Sequence, residues 1–177
     1  MHSNDITRLL PHRPPLRLID EILQIQPGHI LAAYTVGGDF TAAPVGDGTR
    51  GAVMPRSLVL ESFGQCAALL WLDGAGRAVG DQEVLMFAAG RRIRFLRDAE
   101  EGDRLVHHAA LDKIVGTTAF ASGFTQVDGN TIAEFGSIIA VLRSWNSLSE
   151  APNNIGTSAV ALARKETQDD CCRTISR

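Results

Sequence analysis

The stretch Gly46 to Leu70, GDGTRGAVMPRSLVLESFGQCAALL, decides how the rest of the chain is read. From Leu58 to Trp71 almost every position is apolar or small; the exceptions are Glu61, Ser62 and Gln65. A helix that is apolar round most of its circumference is a buried one. Pro55 suits the first turn of such a helix, where its missing N–H has no intrahelical bond to lose. The segment is therefore expected to run as a loop, a helix start at Pro55 and a buried helix that closes at the C-cap glycines Gly74 and Gly76. A carboxylate inside such a helix is costly unless something pairs with it or uses it. Glu61 is thus the leading candidate for function. Its apolar neighbours Leu60 and Phe63 predict a side chain at least half desolvated, with a raised pKa because burial disfavours the charged form.

Upstream, a short helix is expected over Asn4–Leu10, capped by Ser3 or Asn4 and ended by Pro11. Leu16–Gln26 reads as a strand, Pro27-Gly28 as a turn and His29–Val36 as a second strand. A loop rich in Gly, Asp and Ala follows over Gly37–Ala52. Downstream of the helix the texture changes to period-two runs: Val84–Arg97, Arg104–Val115, Thr117–Val127 and Thr131–Arg143. Asp128-Gly129-Asn130 between the last two is a hairpin signal. One long buried helix followed by a four-run antiparallel meander predicts an α+β fold, with the helix on one face of an antiparallel sheet. From Trp145 onward the chain is polar and largely aperiodic, and a flexible tail over 145–177 is expected.

The bulk properties narrow the function. With 177 residues, 45% hydrophobic and 21% charged, the chain reads as one globular domain and a tail. A net charge of −3 gives no overall electrostatic case for nucleic acid or an anionic membrane. The longest apolar run is interrupted by Glu61 and Gln65 and is too short to span a bilayer. The N-terminus MHSNDITRLLPHR lacks the basic start and apolar stretch of a signal peptide. Cys66, Cys171 and Cys172 make neither a disulfide framework nor a metal-ligand spacing, so a reduced cytoplasmic setting without a metal is expected. Of the histidines, adjacent His107 and His108 on one strand must face opposite sides, so both cannot line one pocket.

Three segments carry a family resemblance. VMPRSLVLESFGQCAA resembles the central helix of the FabZ/FabA type of 3-hydroxyacyl-acyl-carrier-protein dehydratase, with Val53, Met54, Pro55, Glu61 and Gln65 on positions of its pattern. LLPHRPPLRLIDEILQIQPG is similar to the family's opening L-P-H-R-x-P segment, in which the His, here His12, is read as structural. Arg94, Phe95, Arg97, Gly102 and Asp103 match a later R-F-x-x-P-x-x-P-G-D segment. The resemblance spans roughly residues 1–143 and implies a single hot-dog domain over 1–144, an antiparallel sheet wrapped round a long central helix. The family's catalytic His falls on Asp47 here, and the Gly after the helix proline is Arg56.

The resemblance also implies an activity, the reversible loss of water from a 3-hydroxyacyl thioester on acyl carrier protein, in fatty acid or polyketide-type metabolism. Glu61 and Asp47 would be the catalytic groups, and Pro55, Arg56 and Gln65 would contact the substrate. The backbone N–H of Arg56, at a helix N-terminus, would polarise the thioester carbonyl. No cofactor is implied beyond the phosphopantetheine carried by the substrate. Arg91, Arg92, Arg94 and Arg97 read either as a solvated strand face or as a docking site for the acidic carrier, whose phosphate and carboxylates suit Arg forks. The implied assembly is a homodimer or a heterodimer with a related hot-dog chain. Three functions stay open: a dehydratase with altered residues, a non-catalytic or half-site subunit of a hetero-dehydratase, and a hot-dog acyl thioesterase.

Overall fold

The computed structural model describes residues 3–41, 52–76 and 78–149. Helix α1 (Ser3–Leu9) stops short of Pro11, as expected. Strands β1 (Glu21–Gln26) and β2 (His29–Thr35) form a hairpin, and Gly28 at φ +80° takes the left-handed position of its turn. A 3-10 turn (Gly38–Phe40) and the two-residue strand β3 (Val53–Met54) lead to helix α2 (Arg56–Gly74). Strands β4 (Glu83–Phe95), β5 (Ala99–Glu100), β6 (Arg104–Val115), β7 (Thr118–Val127) and β8 (Asn130–Ser144) follow, and helix α3 (Trp145–Ser149) closes the described chain.

Six strands make one antiparallel sheet in the order β1-β2-β6-β7-β8-β4, while β3 pairs with β5. Helix α2 packs on β2, β6, β7 and β8, so the sheet wraps round it. Its core contacts are aromatic: Phe63, with no exposed surface, stacks on Phe135 at 4.0 Å between ring centroids. This is the α+β plan expected from sequence, with the central helix buried on nearly every side. The helix starts one residue later than Pro55, which stands at the N-cap with its carbonyl accepting the N–H groups of Leu58 and Val59. Asp128 (φ +49°) and Gly129 (φ +77°) make the tight turn joining β7 to β8, the two positive angles that a two-residue hairpin turn demands. Gly123 is required for another reason: a Cβ there would lie 1.9 Å from the His108 carbonyl oxygen of the neighbouring strand.

Three expectations need correction. The last four long strands are not a meander. β4 lies at the sheet edge beside β8, and β6 inserts next to β2. The reason lies between β4 and β6. There β5 pairs with β3, and the Gly102 N–H donates to the Val36 carbonyl, so the link crosses the fold instead of turning back on itself. The first strand begins at Glu21 rather than Leu16, because the backbone of Leu16 and Leu18 is hydrogen-bonded by side chains of α2 instead of by a ladder. The expected tail yields a short helix over Trp145–Ser149, tied by the Trp145 N–H to the Gln82 carbonyl at 3.0 Å. The rest of that tail, 150–177, lies outside the described residues. Among those described, no helix is long and apolar enough to cross a membrane.

Candidate active site

Helix α2 carries three polar residues, Glu61, Ser62 and Gln65, in a stretch that is otherwise apolar or small from Leu58 to Trp71. Glu61 opens onto a cavity of about 120 Å³ between the helix and strands β4, β6, β7 and β8. Its other walls are apolar, with Ala67, Ala68 and Trp71 from the helix and Leu85, Leu111 and Ile138 from the sheet. Such a slot, apolar with a few polar groups at one end, is the ordinary form of a small-molecule site. His12 and Gln65 stand with Glu61 at its polar end. The Gln65 amide donates to Glu61 Oε1 at 3.0 Å, and His12 Nε2 lies 3.4 Å from the same oxygen.

The Glu61 side chain keeps 39% of its surface exposed, so it is more than half covered, as expected. The direction of its pKa is the reverse of the expectation. The contact from His12 and the hydrogen bond from Gln65 hold the carboxyl below the usual carboxylate range, outweighing the upward push of burial. The sequence showed the apolar helix but not what reaches in from the opening segment.

Gln65, 2% exposed, ties three things together. Its oxygen accepts the Leu18 N–H at 2.8 Å, and its amide donates to the Leu16 carbonyl at 2.9 Å as well as to Glu61. Ser62 adds a second tie by donating to the Leu18 carbonyl at 2.6 Å. That hydroxyl has one proton, so the 2.7 Å contact between Ser62 Oγ and His107 Nε2 must have the imidazole as donor. His107 Nδ1 is then the acceptor for Thr125 Oγ1–H at 2.8 Å. His107, Ser62 and Thr125 are all fully buried, and burial pushes the imidazole pKa down to about 3. This chain is a structural brace across α2, β6 and β7, and nothing in the sequence reading had located it. His108, on the opposite face as expected, stacks on Phe124.

The other candidates divide. Pro55 and Arg56 stand at the start of α2 and are not among the residues lining the cavity. The Arg56 side chain turns to Asp98 (2.9 Å) and lies over the Phe95 ring, while its N–H belongs to the helix's first turn, where amides lack intrahelical acceptors. Asp47 lies outside the described residues. Arg91, Arg92 and Arg94 lie on β4 and Arg97 beyond its end. They do not make a uniform cationic face: Arg94 pairs with Glu134 at 3.5 Å and Arg97 with Asp103 at 2.9 Å. Arg92 and Arg94 border a shallow depression with Phe124 and Glu134. Among the described residues no cluster of three or more His, Cys, Asp or Glu is placed to hold a metal ion.

Comparison with known proteins gives a consistent picture. No family model matches the chain. A 3-hydroxyacyl-[acyl-carrier-protein] dehydratase FabZ of an Acidovorax species is 35% identical over 152 residues, covering 81% of this chain and 99% of the relative. Among solved structures, the dehydratase heterocomplex ApeI:P from Xenorhabdus doucetiae superposes with a TM-score of 0.68 at 18% identity, covering 82% of this chain and 95% of that one. A hypothetical thioesterase from Streptococcus pneumoniae, solved with coenzyme A, gives a TM-score of 0.52 at 12% identity, covering 70% and 85%. The two structures establish the shared hot-dog fold.

Proposed function

The chain belongs to the FabZ family of 3-hydroxyacyl-[acyl-carrier-protein] dehydratases, and we propose that it removes water from a 3-hydroxyacyl thioester carried on acyl carrier protein. The observation that carries this reading is the placement of Glu61: a carboxylate held at the polar mouth of an apolar slot between α2 and the sheet. The slot suits an acyl chain. The carboxylate suits proton transfer at the reacting carbons, and the amides opening α2 suit the thioester carbonyl. A phosphopantetheine arm belongs to the substrate, so the protein needs no cofactor of its own for this step. A dimer in the cytoplasm, with the carrier approaching near Arg92 and Arg94, completes the proposal.

Product analysis is the test. The purified chain and a 3-hydroxyacyl thioester should yield the 2-enoyl thioester and water, and Glu61→Gln should abolish the yield. Free acid and thiol as products would replace the dehydratase with a thioesterase.

A second reading is favoured by one feature of the sequence. Asp47 stands where the resembling family places its catalytic His. A mixed dimer with a His-containing relative would restore that group in one half-site, with Glu61 supplied by this chain. Mixing the two proteins should then raise activity above that of the relative alone, and Glu61→Gln should cancel the gain. Failure to associate would end this reading and leave the first intact.

A further inference from the structure

Among the described residues, His12 and His107 touch α2, and their surroundings differ in kind. His107 is sealed in the core with both ring nitrogens bonded, to Ser62 and Thr125. Satisfied on both sides and without exposed surface, it is a structural group. His12 lines the cavity, with Nε2 3.4 Å from Glu61 Oε1, while its Nδ1 is buried without a hydrogen-bond partner. His107 has both nitrogens bonded to protein groups, whereas His12 offers a buried nitrogen with no protein partner beside a cavity, and a group in that state calls for an explanation, of which a catalytic role is one.

We propose that His12 is a catalytic residue of this chain, forming with Glu61 an acid–base pair inside one subunit. The proposal rests on the dehydratase reading above. Elimination needs one group to take the proton from C2 and another to give one to the hydroxyl on C3. A carboxylate and an imidazole in contact, sharing one extra proton, contain both functions. With the proton on His12 Nε2, Glu61 Oε1 takes the C2 proton. The C2–H electron pair becomes the C2=C3 π bond, and the C3–O bond breaks with its pair going to oxygen. That oxygen takes the Nε2 proton and leaves as water. The proton now on Glu61 passes back to Nε2 across the 3.4 Å contact, and the pair is restored.

The surroundings keep this pair distinct. The cavity walls from β4, β6, β7 and β8 bring no other titratable side chain among the described lining residues. On α2 the charged neighbour is Glu61 itself. On the opening segment, Arg13 turns to the backbone carbonyls of Leu10 and His12, and Arg17 is the remaining cation.

The test uses the full chain and a 3-hydroxyacyl pantetheine thioester, following enoyl product against pH. His12→Gln should lower kcat by about a hundredfold or more, the scale of one general acid–base group, with KM changed only a few-fold. The alkaline fall in rate, which marks loss of the shared proton, should vanish from its profile. Imidazole in the buffer should restore part of the rate to His12→Ala and none to Glu61→Gln. The imidazole nitrogen NMR signals of His12 should move between the parent chain and Glu61→Gln, a result that needs no His12 variant to fold. An active chain whose rate survives His12→Gln, or whose rate is lost with Asp47→Asn while His12→Gln stays active, overturns the role of His12 alone. A chain that forms no enoyl product while the His12 signals respond to Glu61→Gln overturns the dehydratase reading, and the assigned role with it.

Discussion

Replacing Gln65 with leucine should test how α2 holds the opening segment. The change keeps approximate volume and removes three hydrogen bonds: from Leu18 N–H, to the Leu16 carbonyl and to Glu61. The Leu18 amide bond is buried, so its N–H is left with no acceptor, at about 1–3 kcal/mol. The Leu16 carbonyl and the carboxylate are part-exposed and can turn to water, at about 0.5 kcal/mol each. Burying leucine in place of an amide returns a part of this, on the order of 1 kcal/mol, and about 1–3 kcal/mol of net loss remains. For a chain of this size each kcal/mol moves Tm by about 2–4 °C, which gives a fall of about 2–12 °C. Urea unfolding should show the same loss with an unchanged slope, and hydrogen exchange should show the Leu18 amide losing protection before its neighbours in β1. The site should respond too: with one donor gone, the Glu61 carboxyl should titrate higher than in the parent. A stability loss under about 0.5 kcal/mol, or a Leu18 amide still protected, would refute the assignment of Gln65 as the tie.

The remaining predictions concern other parts of the molecule. His107 is neutral in the fold with its pKa pushed from 6.5 to about 3, so unfolding takes up a proton anywhere between those values. Stability should be fully present above pH 6.5 and decline below it by up to about 1.4 kcal/mol per pH unit, a slope that His107→Asn should flatten in urea titrations run at several pH values. The Cys66 thiol is fully buried and its pKa is raised by that burial, so in a chain carrying Cys171→Ser and Cys172→Ser it should resist alkylation until the protein unfolds. Equal labelling rates in native and denatured protein would contradict its placement. Arg92→Glu with Arg94→Glu should raise KM for a carrier-bound substrate at least several-fold while leaving KM for a pantetheine thioester alone. A parallel change in both would remove the carrier from that surface.

The sequence made the central helix legible because one composition rule dominates there: fourteen positions from Leu58 to Trp71 are apolar or small but for three, and only a buried helix suits that pattern. The β7–β8 turn was equally plain, because Asp128-Gly129 supplies the two positive φ angles that few other pairs accept. Strand order was not legible. Alternation shows that a run is a strand, but the neighbour of β4 depends on how the link through Asp98 and Asp103 crosses the fold, a long-range matter set by β5 on β3. The sign of the Glu61 shift escaped for the same reason. Burial can be read from the helix itself, whereas the partners that offset it come from His12, which lies 49 positions earlier, and from the geometry of Gln65.

The sign of the Glu61 shift and the late start of β1 have one origin in the segment from Pro11 to Asp20. A strand is expected from Leu16 onward, yet Ser62 and Gln65 claim the Leu16 and Leu18 backbone groups, and the strand starts only at Glu21. A strand would have alternated its side chains across the sheet and carried its own hydrogen bonds to β2. Freed from that pairing, the segment lies along α2, and this course brings the His12 ring to Glu61. The polar residues of the buried helix therefore divide the work by depth. Ser62 and Gln65, fully enclosed, fix the backbone of the segment, while Glu61, at the rim, meets the side chain that the fixed backbone delivers. Loosening either tie should thus be felt at the carboxylate even though neither Ser62 nor the Leu18 amide faces the cavity. Ser62→Ala should then disturb the His12–Glu61 contact along with the His107 brace, whereas a substitution of equal stability cost on the far side of the sheet, such as Ile139→Val, should leave the titration of Glu61 where it was.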